Sequence, residues 1–193
     1  MPLFSFNRNS DGDLIVLLVL DLWGVIDYLP DEVGDLVQLT YLGLRRTNIE
    51  ASAYYRVPRG IGTLVNLHTC AGVHVDAGFA SELSTLTHLR KLDVRNACED
   101  HASELFAAIF KLENLVLLLL SSENQYLGTP LPELESFSPP PHLQELSLCG
   151  RLFEIPNWLA STENLTSLRL LYSNLLENPS SILQFLPKLK RLF

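Results

Sequence analysis

The sequence predicts an α/β solenoid, with short parallel strands along one side and helical or irregular return segments along the other. Three observations predict it: a leucine pattern that recurs through most of the chain, a steady period, and prolines that fall at the same point of several units. An amphipathic helical bundle would account for the leucine content but for neither the period nor the prolines.

The unit is Leu-x-x-Leu-x-Leu. It is spelled by Leu17, Leu20, Leu22, by Leu39, Leu42, Leu44, and by Leu89, Leu92, Val94. It continues in Leu115, Leu118, Leu120, in Leu143, Leu146, Leu148 and in Leu165, Leu168, Leu170. A weak copy reads Leu67, Cys70, Gly72, and an eighth begins at Leu189 and Leu192. The middle positions, 20, 42, 70, 92, 118, 146, 168 and 192, lie 22 to 28 residues apart, with a mean close to 25. That period falls within the ~20–29 residues of leucine-rich repeats. Alternate strand side chains face opposite sides, so the fourth and sixth positions point inward together and their neighbours point out.

The spacing predicts strands near 18–22, 40–44, 90–94, 116–120, 144–148 and 166–170. The strand near 68–72 is expected to be the least regular, because Gly72 has no side chain to fill the core. Return segments show apolar steps of three, as in Val33, Leu36, Leu39, in Ile61, Leu64, Leu67 and in Leu83, Leu86, Leu89. Such a step suits a helical turn or a 3₁₀ segment better than a strand. Leu29-Pro30, Val57-Pro58 and Ile155-Pro156 start the returns, where proline fixes φ and its missing donor is not needed. The stretch from Ser121 to His142, with Pro139, Pro140 and Pro141, reads as a loop within the array. The organisation is thus a flank over residues 1–16 and one domain of about eight repeats over 17–193, the last of them incomplete.

Composition sets bounds on function. The 193 residues are 47% hydrophobic and 19% charged, enough to bury a core, and the net charge of −8 argues against nucleic acid or an anionic membrane as partner. Cys70, Cys98 and Cys149 are too few, and odd in number, for a disulfide framework, which fits a reducing compartment. Asp11 and Asp13 precede the apolar run Leu14 to Leu20, and Asp21 ends it. That is neither a secretory signal nor a membrane span, so a cytoplasmic protein is expected.

The stretches Leu17 to Val25, Leu29 to Ile49 and, most specifically, Pro139 to Leu192 carry a further likeness. In the last, the steps Gly150-Arg151-Leu152, Ile155-Pro156-Asn157-Trp158 and Leu186-Pro187-Lys188-Leu189 occur in order. They resemble the leucine-rich repeat region of plant intracellular immune receptors of the coiled-coil, nucleotide-binding type. The resemblance implies a repeat domain that docks on a nucleotide-binding switch domain and holds it off. Recognition of a pathogen effector, or of a host protein that an effector has altered, would release the switch. No Gly-x-x-x-x-Gly-Lys-Ser/Thr loop is present, and Gly60-Ile-Gly62 has no lysine after it, so no nucleotide or other cofactor is expected. The alternative is a substrate-binding arm of a ubiquitin-ligase adaptor, or a stand-alone repeat scaffold.

Candidate chemistry is sparse. His68, Cys70 and His74 have spacings that suit zinc, but Cys70 takes an inward position and His74 an outward one. Cys98, Glu99, Asp100 and His101 are consecutive and cannot all converge on one ion without a specially folded loop. Asn164-Leu165-Thr166 matches a glycosylation acceptor that has no secretory route to use it. No metal site and no catalysis are expected. What remains is the predicted concave face. It carries Arg45, Arg46, Arg90, Lys91, Arg95 and Arg169 against Asp21, Asp93 and Glu145, a basic groove on an acidic body suited to an acidic protein. Trp23, Tyr41 and Tyr172 are candidate aromatic anchors there, His74 lies alongside, and Leu117 and Leu119 point outward, either as an interface pair or under cover of the long loop after Ser121.

Overall fold

The computed structural model describes residues 17–23, 29–45, 57, 59–123, 128–176 and 178–193. The expected flank, Arg46, Arg56 and Pro58 lie outside them. Eight parallel strands form one sheet in sequence order. They are β1 (Val19–Trp23), β2 (Tyr41–Arg45), β3 (Thr69–His74), β4 (Lys91–Arg95), β5 (Leu117–Ser121), β6 (Glu145–Cys149), β7 (Ser167–Leu171) and β8 (Arg191–Leu192). Each expected strand is present and starts one residue later than its window, with the same residues inward except in β3. Leu20, Leu42, Cys70, Leu92, Leu118, Leu146, Leu168 and Leu192 align across the sheet in register.

The approach to every strand after β1 repeats one device. A single carbonyl accepts the first two amides of the next repeat: Leu18 from Thr40 and Tyr41, Thr40 from His68 and Thr69, and so on to Thr166 from Lys190 and Arg191. The three-step leucines meet hydrogen bonds of the same step. Leu36 N donates to Val33 O at 3.1 Å and Leu39 N to Leu36 O at 2.8 Å, and the pattern recurs at Leu64 and Leu67, Leu86 and Leu89, and Leu112 and Leu115. Apolar spacing and 3₁₀ backbone thus enforce each other. Pro30 and Pro156 precede the 3₁₀ turns Asp31–Asp35 and Asn157–Ser161, as their fixed φ favours.

Two repeats widen to true helices, α1 (Ala77–Leu83) and α2 (Ala102–Phe110), and a short α3 (Ser180–Leu183) closes the last. Asp76 starts α1 by accepting from the Gly78 and Phe79 amides at 3.0 and 2.9 Å. Neighbouring repeats are also stitched by side chains. Asn66, Asn114 and Asn164 donate to the Val37, Thr87 and Pro141 carbonyls at 2.9, 2.9 and 3.0 Å, and His88 Nδ1 meets Val65 O at 2.9 Å. The Glu82 carboxylate receives the Gly60 and Gly62 amides, at 3.0 and 2.8 Å, where the 3₁₀ turn Ile61–Thr63 begins with donors that have no partner within the turn.

Two expectations need correction. The third repeat is irregular as expected, but not because Gly72 leaves the core unfilled. Gly72 is a bulge at φ +76°, the register skips from Ala71 to Val73, and fully buried Val73 takes the inward place. A Cβ on Gly72 would collide with the Leu44 carbonyl, so glycine is what lets β3 approach β2. The second correction concerns the proline-rich stretch, which lies within the array as expected but is a core layer there rather than a loop. Within 128–142, Leu131, Leu134 and Phe137 are buried and form the return layer of the fifth repeat. Phe137 stands edge-on to Phe106 at 5.0 Å and to Trp158 at 5.1 Å, and the Trp158 indole donates to Leu134 O at 2.7 Å. Three successive repeats share this aromatic row.

Candidate functional site: the open face of the sheet

The return layer covers one side of the sheet, so function is sought on the other. Strand alternation and register sort its side chains into rows that cross the repeats. One row runs Val19, Tyr41, Thr69, Lys91, Leu117, Glu145, Ser167, Arg191. The next runs Asp21, Gly43, Ala71, Asp93, Leu119, Ser147, Arg169. Trp23 and Arg45 are the paired ends of β1 and β2, His74 pairs with Arg95, and Ser121, Cys149 and Leu171 follow. Arg90 precedes β4 and Tyr172 follows β7, in a left-handed conformation at φ 59°.

Tyr41 is half-buried and reaches over Gly43 beside Asp21; a Cβ at Gly43 would lie 2.8 Å from the Tyr41 ring and would also meet the Asp21 carboxylate. Leu117 and Leu119 are on the outward rows as expected, yet half-buried. They form a low apolar ridge between the charged residues of β4 and Glu145 and Ser147 of β6. The charges are arranged differently from the expected basic groove. Arg95 is held by Asp93 of its own strand through two contacts, Nε to Oδ1 at 2.8 Å and Nη2 to Oδ2 at 2.9 Å. Glu145 meets Arg191 at 3.4 Å, two strands away, and Arg169 lies 4.9 Å over the Phe193 ring. Among the described residues, Arg90 and Lys91 remain exposed with no ion pair or ring contact. Among the described side chains of the face in the first seven repeats, the unpaired positive charge stands at Arg90 and Lys91, beside Leu117.

The structure separates the candidate zinc ligands. Cys70 is buried in the core, while His68 is exposed before β3 and His74 half-buried at its end. Burial, and then the Asp93 carboxylate, push the Cys70 thiol far above its ordinary pKa, so it stays a thiol and packs as a small apolar group. Among the described residues no three His, Cys, Asp or Glu gather to hold an ion, and no helix is long and apolar enough to cross a membrane. Sequence reasoning missed Ser121 and Ser122. Among the described residues their hydroxyls are buried without a hydrogen-bond partner, at the rim that Cys149 and Gly150 close. Only the register of β5 on β6, which the repeat alignment contains, could have pointed to them.

A parallel sheet built one short strand per repeat, backed by 3₁₀ and helical returns, defines a leucine-rich repeat domain. The chain belongs to that family: residues 10–193 match the leucine-rich repeat region. It is 29% identical, over 94% of its length, to Disease resistance protein RPH8A of Arabidopsis thaliana. It is also 29% identical, over 84% of its length, to Disease resistance protein RPP8 of the same plant. The chain spans only 22% and 17% of these two relatives. Among solved structures, an internalin from Listeria monocytogenes shares the fold with a TM-score of 0.65 at 20% identity, over 95% of this chain and 51% of the internalin.

Proposed function

We propose that this chain is a recognition domain without catalytic activity, the repeat part of a cytoplasmic plant disease-resistance receptor. It senses a pathogen effector, directly or through a host protein, and restrains a nucleotide-binding switch domain. The observation that carries the reading is the pairing of exposed Arg90 and Lys91 with the half-buried Leu117 and Leu119 on adjoining strands. Apolar contact supplies affinity and the two cations select an acidic, complementary surface. The similarity to two disease resistance proteins supports the biological setting.

The test compares proteins captured from plant cytosol by the wild-type chain and by an Arg90→Glu, Lys91→Glu variant, read by quantitative mass spectrometry. A charge reversal on the return side, Glu32→Lys, serves as control. A specific set of proteins lost only from the open-face variant is expected. An identical set with all three chains would overturn the reading.

A further inference from the structure

Two dibasic pairs stand at equivalent places on the open face. Arg90 precedes β4 and Lys91 begins it, and Lys190 and Arg191 stand the same way to β8. In each pair both amides donate to one carbonyl of the preceding repeat. That carbonyl is His68 O, at 2.9 and 3.0 Å, for the first pair and Thr166 O, at 2.9 and 3.1 Å, for the second. The register runs from Lys91 through Leu117, Glu145 and Ser167 to Arg191. Four strand spacings of about 4.8 Å therefore set the pairs about 19 Å apart.

All four cations are exposed. Glu145 meets Arg191 at 3.4 Å, while Arg90, Lys91 and Lys190 have no ion pair or ring contact among the described residues. Farther along β4, Asp93 is held by Arg95. The turns that lead into these strands add Glu113, Glu163 and Lys188. Lys188 donates to Asn164 Oδ1 at 2.8 Å, and Glu163 lines a hollow with Ala160 and Phe185 of the return layer. Even with these included, five cations stand against three carboxylates, and the excess sits at the two ends of the strip. Between the ends lie half-buried Val116 and Leu117, then Gln144, Thr166 and buried Ser167 around Glu145.

The backbone of this strip offers a partner nothing. Its amides and carbonyls are committed to the parallel ladder from β4 to β8, and strand addition needs a free sheet edge. A helix satisfies its own backbone and presents only side chains. One strand spacing equals about three residues of helical rise, so residues i and i+3 reach adjacent strands. The span between the two pairs equals about 13 residues, which places a same-face residue three to four turns on. Resting on the reading of the open face given above, we propose that the partner lies across β4 to β8 as one acidic amphipathic helix. It sets carboxylates over Arg90 and Lys91 at one end and over Lys190 at the other, with an apolar side chain on Leu117.

The probe is a fluorescein-labelled helical peptide with two Glu pairs about 11 residues apart and Leu one turn after the first pair. A second peptide of equal composition has its Glu pairs one turn apart, and a third has Lys in place of Glu. Fluorescence anisotropy with the full chain at about 0.15 M salt keeps unspecific attraction screened. Saturable binding of the first peptide is expected, about tenfold weaker binding of the second, and none of the third. Lys190→Glu should weaken the first about tenfold and leave the second unchanged, whereas Arg90→Glu with Lys91→Glu should weaken both. Lys111→Glu, on the return layer, should change neither. These side chains are exposed, so the fold survives each change. Amides of 190–193 should gain protection from hydrogen exchange when the first peptide binds. Equal binding of the first two peptides, or no saturable binding of the first, would overturn the proposal. A loss with the Arg90 and Lys91 variant but none with Lys190→Glu would overturn it too, and would leave the reading of the open face standing. Binding that neither variant weakens would overturn both.

Discussion

Two glycines with nearly the same positive φ separate the cost of conformation from the cost of space. Gly60 and Gly72 have φ of +86° and +76°. Around a Cβ built on Gly60 there is nothing within 4 Å, whereas one on Gly72 strikes the Leu44 carbonyl, with its carbon at 2.9 Å. An L-residue held in the left-handed region costs about 1–2 kcal/mol, and the stiffer unfolded chain of alanine returns about 0.4–1 kcal/mol. Gly60→Ala should therefore destabilise by about 1 kcal/mol. Gly72→Ala carries the same cost and must also push β2 and β3 apart. Losing two strand hydrogen bonds at about 1 kcal/mol each brings the total to about 3 kcal/mol. Repeat arrays depart from two-state unfolding, so the assay is hydrogen exchange read strand by strand. Amides of β2 and β3 should lose far more protection in Gly72→Ala than in Gly60→Ala, with β6 and β7 little changed. Equal losses for the two variants would refute the claim that close approach of backbones demands the bulge.

Phe137→Ala removes the middle ring of the row formed with Phe106 and Trp158. Hydrogen exchange of the amides in α2 and the Asn157–Ser161 turn, which pack on it, should show a loss of up to about 4 kcal/mol of protection, the range for a fully buried phenylalanine, and a small loss would mean that the proline-rich stretch is not a core layer. Thiol labelling of the native chain should modify Cys98, which is half-buried, well before Cys70 and Cys149, which are buried; Cys70 should react only on unfolding. The carboxyl-terminal repeat should fray. Leu192 and Phe193 are mostly exposed and β8 has two residues, so amides of 186–193 should exchange much faster than those of 117–121. Equal protection at both places would contradict the reading.

The inward half of the molecule was legible because packing dictates it. A residue that must fill the space between sheet and return layer has few substitutes, so Leu42, Leu92, Leu118 and Leu146 announce themselves by type and period. Even the two errors left traces. Val73, one place past Gly72, is the branched apolar residue that a bulge would bring inward. Leu131, Leu134, Phe137, Pro140 and Leu143 keep the step of three through the very stretch that proline content marked as a loop. Local composition outweighed periodicity there, and the burial of Phe137 shows that periodicity was the better physical guide.

The outward half obeys weaker rules. Asp93 and Arg95 are two residues apart on one strand and so share a face, which makes their pairing readable from alternation alone. Glu145 and Arg191 meet only because β7 sets β8 two places from β6, a register that the two residues of β8 barely mark in the sequence. Counting charges along the face therefore does not reveal that Asp93 holds Arg95 or that Glu145 meets Arg191. Nothing in the fold requires a leucine ridge at Leu117 and Leu119, or two adjacent cations beside it, since serine, threonine and alanine occupy the same rows elsewhere. Adjacent like charges repel, and half-exposed leucines leave apolar area in water at about 25 cal/mol per Å². On the function proposed above, residues that the fold does not need, and that cost stability where they stand, are there for what they meet outside the chain. That inference turns the open face from a by-product of strand alternation into the place to look for a partner.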